Sequence, residues 1–286
     1  FWHLNHTNTI ERCSDRDRKA IVGIIDTGID VSNREFSARV KSGLRFASMS
    51  KLTLNTAAAP QDFSPDYHGT AVASLVAGET VGVVPGCDLA VCALQPDYGS
   101  FIENGAEAIA IAIEWMADLD PAPDVVVCSL GVAPEDGQPA IHYPNLLQAV
   151  EYLVEQRAIP LVAANGDRTR GCNAPQFPAA YDIVMSVGAS RRDNTSWNDN
   201  VQHGGKPNIS APGEFVPAAC DPTSFSGLDY WSGTSFAAPI AAGTLTRILN
   251  SPRALLHACG DRRTPGRFLR AGTSSTARGA GVIFLA

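Results

Sequence analysis

Three residues far apart in this chain could together carry out acyl transfer. Ser235 stands in Gly233-Thr234-Ser235, where a small-residue turn gives way to an Ala-rich run ending at Gly243. A helix starting at or near Ser235 would set the hydroxyl beside that helix's unpaired N–H groups. Pro239 falls within the expected first turn, where a missing N–H has no intrahelical partner to lose. Alone, Ser235 reads more commonly as a helix N-cap. It becomes a nucleophile only with an imidazole to take its proton and a carboxylate to fix and stabilise that imidazole. His68 and Asp26 have the right types, although singly each also reads as a local hydrogen-bonding or turn residue.

To act together, all three must meet at one rim of a sheet. Ala20-Ile-Val-Gly-Ile-Ile25 is a continuous apolar, β-branched run, the pattern of a strand buried on both faces of a parallel sheet. It delivers Asp26 to a strand end, where the sites of open parallel sheets gather. His68 to Gly78 reads as a small-residue helix that stops at its glycine. Further strands are expected at 89–94, 125–130, 161–164 and 183–189, and helices at 101–119 and 146–156. Residues 40–66 read as mostly loop with one or two short strands. The alternation implies an α/β three-layer sandwich with a mostly parallel central sheet, divided into an N-terminal arm (1–19) and one domain (20–286).

Composition removes several function classes. With 286 residues, 45% hydrophobic content and a net charge of -7, the chain can bury a large core but lacks the clustered basic residues of a polyanion binder, so no nucleic-acid partner is expected. No apolar run reaches the roughly 20 residues of a membrane span. No Gly-x-Gly-x-x-Gly follows the first strand, which argues against a dinucleotide site. The seven cysteines contain no Cys-x-x-Cys pair, so no metal site is expected. Cys92 and Cys128 read as buried small hydrophobes, while Cys172 and Cys220 could pair in an oxidising compartment. The first residue is Phe1 rather than Met, which suggests a processed form or part of a longer chain, secreted or cut from a larger precursor.

The words Ile25-Asp-Thr-Gly-Ile29, His68-Gly-Thr-Ala-Val-Ala73, Gly82-Val-Val-Pro85, Ser129-Leu-Gly131, Ala211-Pro-Gly213 and Gly233-Thr-Ser-Phe-Ala-Ala-Pro239 closely resemble the subtilisin-like serine proteases. The likeness spans about residues 20–286, and the order Asp, His, Ser is the one found in subtilisin. It implies a subtilisin-like fold and a serine endopeptidase that needs no cofactor, with Asp26 as charge stabiliser, His68 as general base and Ser235 as nucleophile. It also implies a peptide or protein substrate, and a prodomain or larger parent chain as a further partner.

Members of the family hold the developing oxyanion with an Asn amide in an Ala-Ala-Gly-Asn turn. Here the words are Ala163-Ala-Asn165-Gly166-Asp167, with Asn and Gly exchanged. Asn165 is the favoured donor, and Asp167 takes the place if the turn is shifted. Losing one such donor costs about 10² to 10³ in rate. Extended peptides bind such proteins between two backbone segments, in the manner of an added strand. Ser129, Leu130 and Gly131 match one segment, while Gly99, Ser100 and Phe101 resemble the other, with Phe101 as a pocket wall. Between Ala77 and Gly82 the chain is too short for the family's Asn-rich calcium loop, so no calcium is expected there. Two alternatives stay open: capture of the acyl-enzyme by an amine, as in a peptide processor or macrocyclase, and a non-catalytic peptide-binding module.

Overall fold

Strand β1 (Ile21–Asp26) is buried along its whole length. Its Val22 and Ile24 enter the core on one face of the sheet, and Ile21 and Ile25 enter the core on the other. Two buried faces explain why its sequence is a continuous apolar run rather than an alternation. In the computed structural model, which describes residues 1–7, 19–95, 100–134, 143–168, 173–201, 206–250, 273–277 and 280–283, β1 pairs in parallel with β4 (Asp88–Leu94) and β5 (Val125–Cys128).

The sheet grows outward from that centre to ten strands. Beyond β4 lie β2 (Arg45–Ser50), in parallel, and β3 (Thr53–Asn55), antiparallel. Beyond β5 come β6 (Leu161–Ala164), β7 (Met185–Ser190), β8 (Ile209–Pro212) and β12 (Ala280–Ile283), all parallel, with β11 (Thr273–Ala277) antiparallel at the edge. A separate hairpin joins β9 (Val216–Ala219) to β10 (Leu228–Trp231). Helices α3 (His68–Ala77) and α6 (Thr234–Asn250) bury their apolar residues in the core on one face. On the other, α4 (Ser100–Asp118) and α5 (Pro144–Glu151) do the same, α5 running on through a π-helical turn at Tyr152–Gln156. This is the three-layer sandwich expected.

Because the chain leaves β1 toward β2 on one side of the sheet and leaves β5 toward β6 on the other, the loops after β1 and β5 diverge. The crevice between them lies at the carboxyl ends of the strands, where such sheets hold their ligands.

Details depart from the sequence reading for identifiable reasons. A short helix α2 (Ala38–Gly43) stands where loop was expected, with the Ser37 hydroxyl accepting from the Val40 amide; at six residues it is too short to show periodicity. Strand β5 stops at Cys128, two residues early, so that Ser129 and Leu130 leave the sheet. The arm begins with α1 (Trp2–His6), whose His3 is fully buried with Nε2 against the Val81 carbonyl at 2.8 Å. Cys92 and Cys128 sit wholly inside, and burial raises both thiols to about 12. Cys220 carries a free thiol, and Cys172 lies outside the described residues. Among the described residues no helix is long and apolar enough to cross a membrane.

Candidate active site

Asp26 is the last residue of β1 and has no exposed surface. Its Oδ1 accepts from the Thr27 amide and lies 2.7 Å from Nδ1 of His68. That contact requires α3 to begin almost on top of the turn after β1, and two glycines permit it. A Cβ on Gly69 would collide with the Gly28 carbonyl oxygen, and Gly28 itself holds φ +130°, a conformation L-residues rarely adopt. Behind His68, the Phe236 ring packs at 5.3 Å between centroids.

Asp62, which nothing in its sequence neighbourhood singles out, ties these parts together. Its Oδ1 accepts from the Thr27 hydroxyl (2.7 Å) and the Ser64 amide (3.0 Å). Its Oδ2 accepts from both the amide (2.7 Å) and the hydroxyl (2.6 Å) of Thr70. A carboxylate thus receives the N-terminal donors of α3, where the helix dipole favours negative charge. Thr27 Oγ1 in turn accepts from the Gly69 amide. His68 is clamped to Asp26 from both sides of the turn.

Helix α6 begins at Thr234, one residue before Ser235. Pro239 is therefore the sixth helical residue, deeper than the first turn, and the N–H it lacks is the one that would have bonded the Ser235 carbonyl. Ser129 supplies the substitute: its hydroxyl donates to that carbonyl oxygen at 2.9 Å. In return, the Ser235 hydroxyl donates to the Ser129 carbonyl at 3.1 Å. The early end of β5 puts Ser129 within reach. The amide of Thr234 is bonded to Asp167, and those of Phe236 and Ala237 to the Gly233 carbonyl. Among the described residues the Ser235 amide has no partner, leaving one N–H of a helix N-terminus beside the serine hydroxyl.

His68, Ser129, Leu130, Gly131, Gly166, Asp167, Thr234 and Ser235 line one cleft of about 260 Å³. Ser100 and Phe101 open α4, and Gly99 lies outside the described residues.

At the oxyanion turn the structure differs from the favoured reading. Asn165 is fully buried and continues the line of β6, its amide donating to the Val187 carbonyl. Its side chain is spent inside: Nδ2 donates to the Val201 carbonyl (2.6 Å) and Oδ1 accepts from the Ser186 hydroxyl (2.7 Å). The turn comes at Gly166, and Asp167 rather than Asn165 lines the cleft. The exchange of Asn and Gly therefore places an interior residue where the amide was sought and a carboxyl group at the cleft.

Close by, the Cys128 thiol is raised to about 12 by burial, with the charge of Asp26 adding to the effect, so it offers no competing thiolate. Among the described residues, no group of three or more His, Cys, Asp or Glu could hold a metal ion.

The Peptidase S8 family model, described as the subtilase family, matches residues 17–264. An intracellular serine protease of Paenibacillus polymyxa is 30% identical over 243 residues, covering 82% of this chain and 67% of that protein. The subtilisin-like protease PopC of Myxococcus xanthus is 29% identical over 248 residues, 80% of this chain but 51% of its own length. The chain thus spans about half to two thirds of these relatives. Among solved structures, the protease domain of PatA superposes with TM-score 0.73 at 25% identity, covering 96% of this chain and 94% of that one. MycP1 superposes with TM-score 0.74 at 19% identity, covering 99% and 94%. Through the family model and the Paenibacillus relative, the chain belongs to the subtilase family.

Proposed function

We propose that this protein is a serine endopeptidase working through an acyl-enzyme. The observation that carries the reading is the 2.7 Å contact between Asp26 Oδ1 and His68 Nδ1, with His68 and Ser235 lining the same cleft. With Nδ1 held by the carboxylate, the neutral ring keeps its proton there and leaves Nε2 as the base. His68 takes the Ser235 proton as Oγ attacks the substrate carbonyl, and Asp26 stabilises the imidazolium that forms. His68 then returns the proton to the leaving amine, and a water hydrolyses the ester by the same base. The Ser235 amide is one oxyanion donor. The Ser129–Gly131 backbone offers an edge for an extended peptide. A propeptide, of the kind whose removal is recorded for MycP1, is a further partner in this reading.

Incubation with a panel of unstructured peptides, read by mass spectrometry, tests it. Hydrolysis gives fragments with free carboxylates that vanish in Ser235→Ala. Fragments lighter by one water would mark amine capture instead, and intact peptides bound equally by wild type and Ser235→Ala would mark a binding module.

A further inference from the structure

Residues 234 and 235 stand between two backbone walls. On one side the Ser235 hydroxyl donates to the Ser129 carbonyl at 3.1 Å, and the chain runs on through Leu130 to Gly131. On the other, the Thr234 hydroxyl accepts from the Gly166 amide at 3.1 Å, and the Thr234 amide donates to Asp167 at 3.0 Å. The nucleophile therefore sits at the mouth of a slot walled by 129–131 and 166–167, residues that all line the cleft.

Gln176, another lining residue, closes the inner end of this slot. Its backbone amide donates to the Asn165 carbonyl at 3.1 Å, which ties it to one wall. The next residue, Phe177, exchanges two hydrogen bonds of 2.9 Å with Val132, which ties it to the other. The side chain then lies between the two glycines. A Cβ on Gly131 would stand 2.8 Å from Cβ and 3.0 Å from Oε1 of Gln176, and a Cβ on Gly166 would stand 3.1 Å from its Cγ and 3.5 Å from Oε1. The room left by the two missing side chains is thus taken up by the Gln176 arm. From residue 129 to residue 131 the chain advances at most about 7 Å, so an arm filling the inner end leaves a shallow slot.

Attack on a peptide carbonyl fixes where the acyl residue goes. Its Cα is bonded to the carbon that Ser235 Oγ reaches, so its side chain starts at the slot's mouth. Resting on the protease reading above, we propose that Gln176 is a specificity-determining residue, closing this slot so that the enzyme cuts after Gly, Ala or Ser and rejects Phe, Tyr, Leu and Met at that position. A methyl or hydroxymethyl group fits above the arm, whereas a ring or a long apolar chain overlaps it. An apolar side chain also finds an amide at the closed end, a polar group it would desolvate without pairing.

The test is kcat/KM on a peptide series that varies only the residue before the scissile bond (Ala, Ser, Leu or Phe), for wild type, Gln176→Ala, Gln176→Gly and Gln176→Leu. Wild type should favour Ala over Phe by about 10² or more. Gln176→Ala removes the arm and should reduce that ratio by about tenfold or more. Gln176→Gly also removes the Cβ nearest Gly131 and should reduce it further, while Gln176→Leu refills the slot and should keep Phe out. Equal rates after Ala and Phe in wild type overturn the proposal without any variant. So does an Ala-to-Phe ratio that Gln176→Ala and Gln176→Gly, shown folded by melting curves, leave within about threefold of wild type. Peptidyl aryl phosphonates of the same series read the preference a second way, as the rate of labelling at Ser235. Labelling that ignores the varied residue rejects the role of Gln176 alone, whereas a wild type neither labelled nor cutting any peptide rejects the protease reading with it.

Discussion

The reciprocal bonds between Ser129 and Ser235 make a coupling that can be measured. Pro239 cannot donate to the Ser235 carbonyl, so Ser129 Oγ is that oxygen's substitute partner at 2.9 Å. Ser129→Ala leaves a half-buried carbonyl unpaired, a loss of about 1 to 2 kcal/mol. Pro239→Ala restores an N–H four residues along the helix, aimed at the same oxygen. In the Pro239→Ala background the Ser129→Ala substitution should therefore cost only about 0.5 kcal/mol or less, within the ordinary range for a site without such a feature. The double-mutant cycle in urea should give a coupling of about 1 kcal/mol. Because the stray carbonyl belongs to the nucleophile's own residue, kcat/KM should fall roughly tenfold in Ser129→Ala, short of the ~10² that a 1 Å misplacement can cost, and recover in the double variant. Additivity within about 0.5 kcal/mol, or a rate loss that Pro239→Ala does not repair, would refute the reasoning.

Asp62→Asn replaces an oxygen that accepts two donors with an amide that donates toward them. It should lower stability by about 2 to 3 kcal/mol and cut kcat more than it raises KM, checked by denaturant melts and steady-state kinetics. Asn165→Ala should cost about 1 to 3 kcal/mol of stability through the unpaired Ser186 and Val201 groups. Its kcat should stay within about threefold of wild type, against the 10² or more expected for loss of an oxyanion donor. Burial lowers His3 from 6.5 to about 4, so its contribution is complete above pH 6.5 and is lost as pH falls toward 4. The loss should reach about 3 kcal/mol, read as faster amide exchange at Asn5 and Thr7, and His3→Leu should flatten that pH dependence.

Much of the site was legible because its constraints are local. Asp26, His68 and Ser235 each sit in a word of small residues, and those glycines and alanines are what let β1, α3 and α6 approach closely enough to share a cleft. Strands buried on both faces announced themselves as unbroken β-branched runs. Contacts made only by the fold were invisible. Asp62 looks like any loop acid until the chain brings it over Thr27 and onto the start of α3. The Ser129 hydroxyl acquires its role only because β5 ends early and Pro239 removes a donor from a distant helix. Asn165 misled for a subtler reason: one residue of turn register decides whether a side chain faces the interior or the cleft, and residue preference does not fix that register. Helix α2 escaped because one and a half turns leave too few residues for a period to show.

The most direct measurement is covalent capture of the nucleophile. Treated with a fluorophosphonate and mapped by mass spectrometry, the protein should carry one phosphonyl adduct, on Ser235, and His68→Ala should lose labelling by about 10³-fold or more while remaining folded. A folded wild-type protein that takes up no adduct at Ser235, or one labelled as fast without the imidazole, would contradict the account.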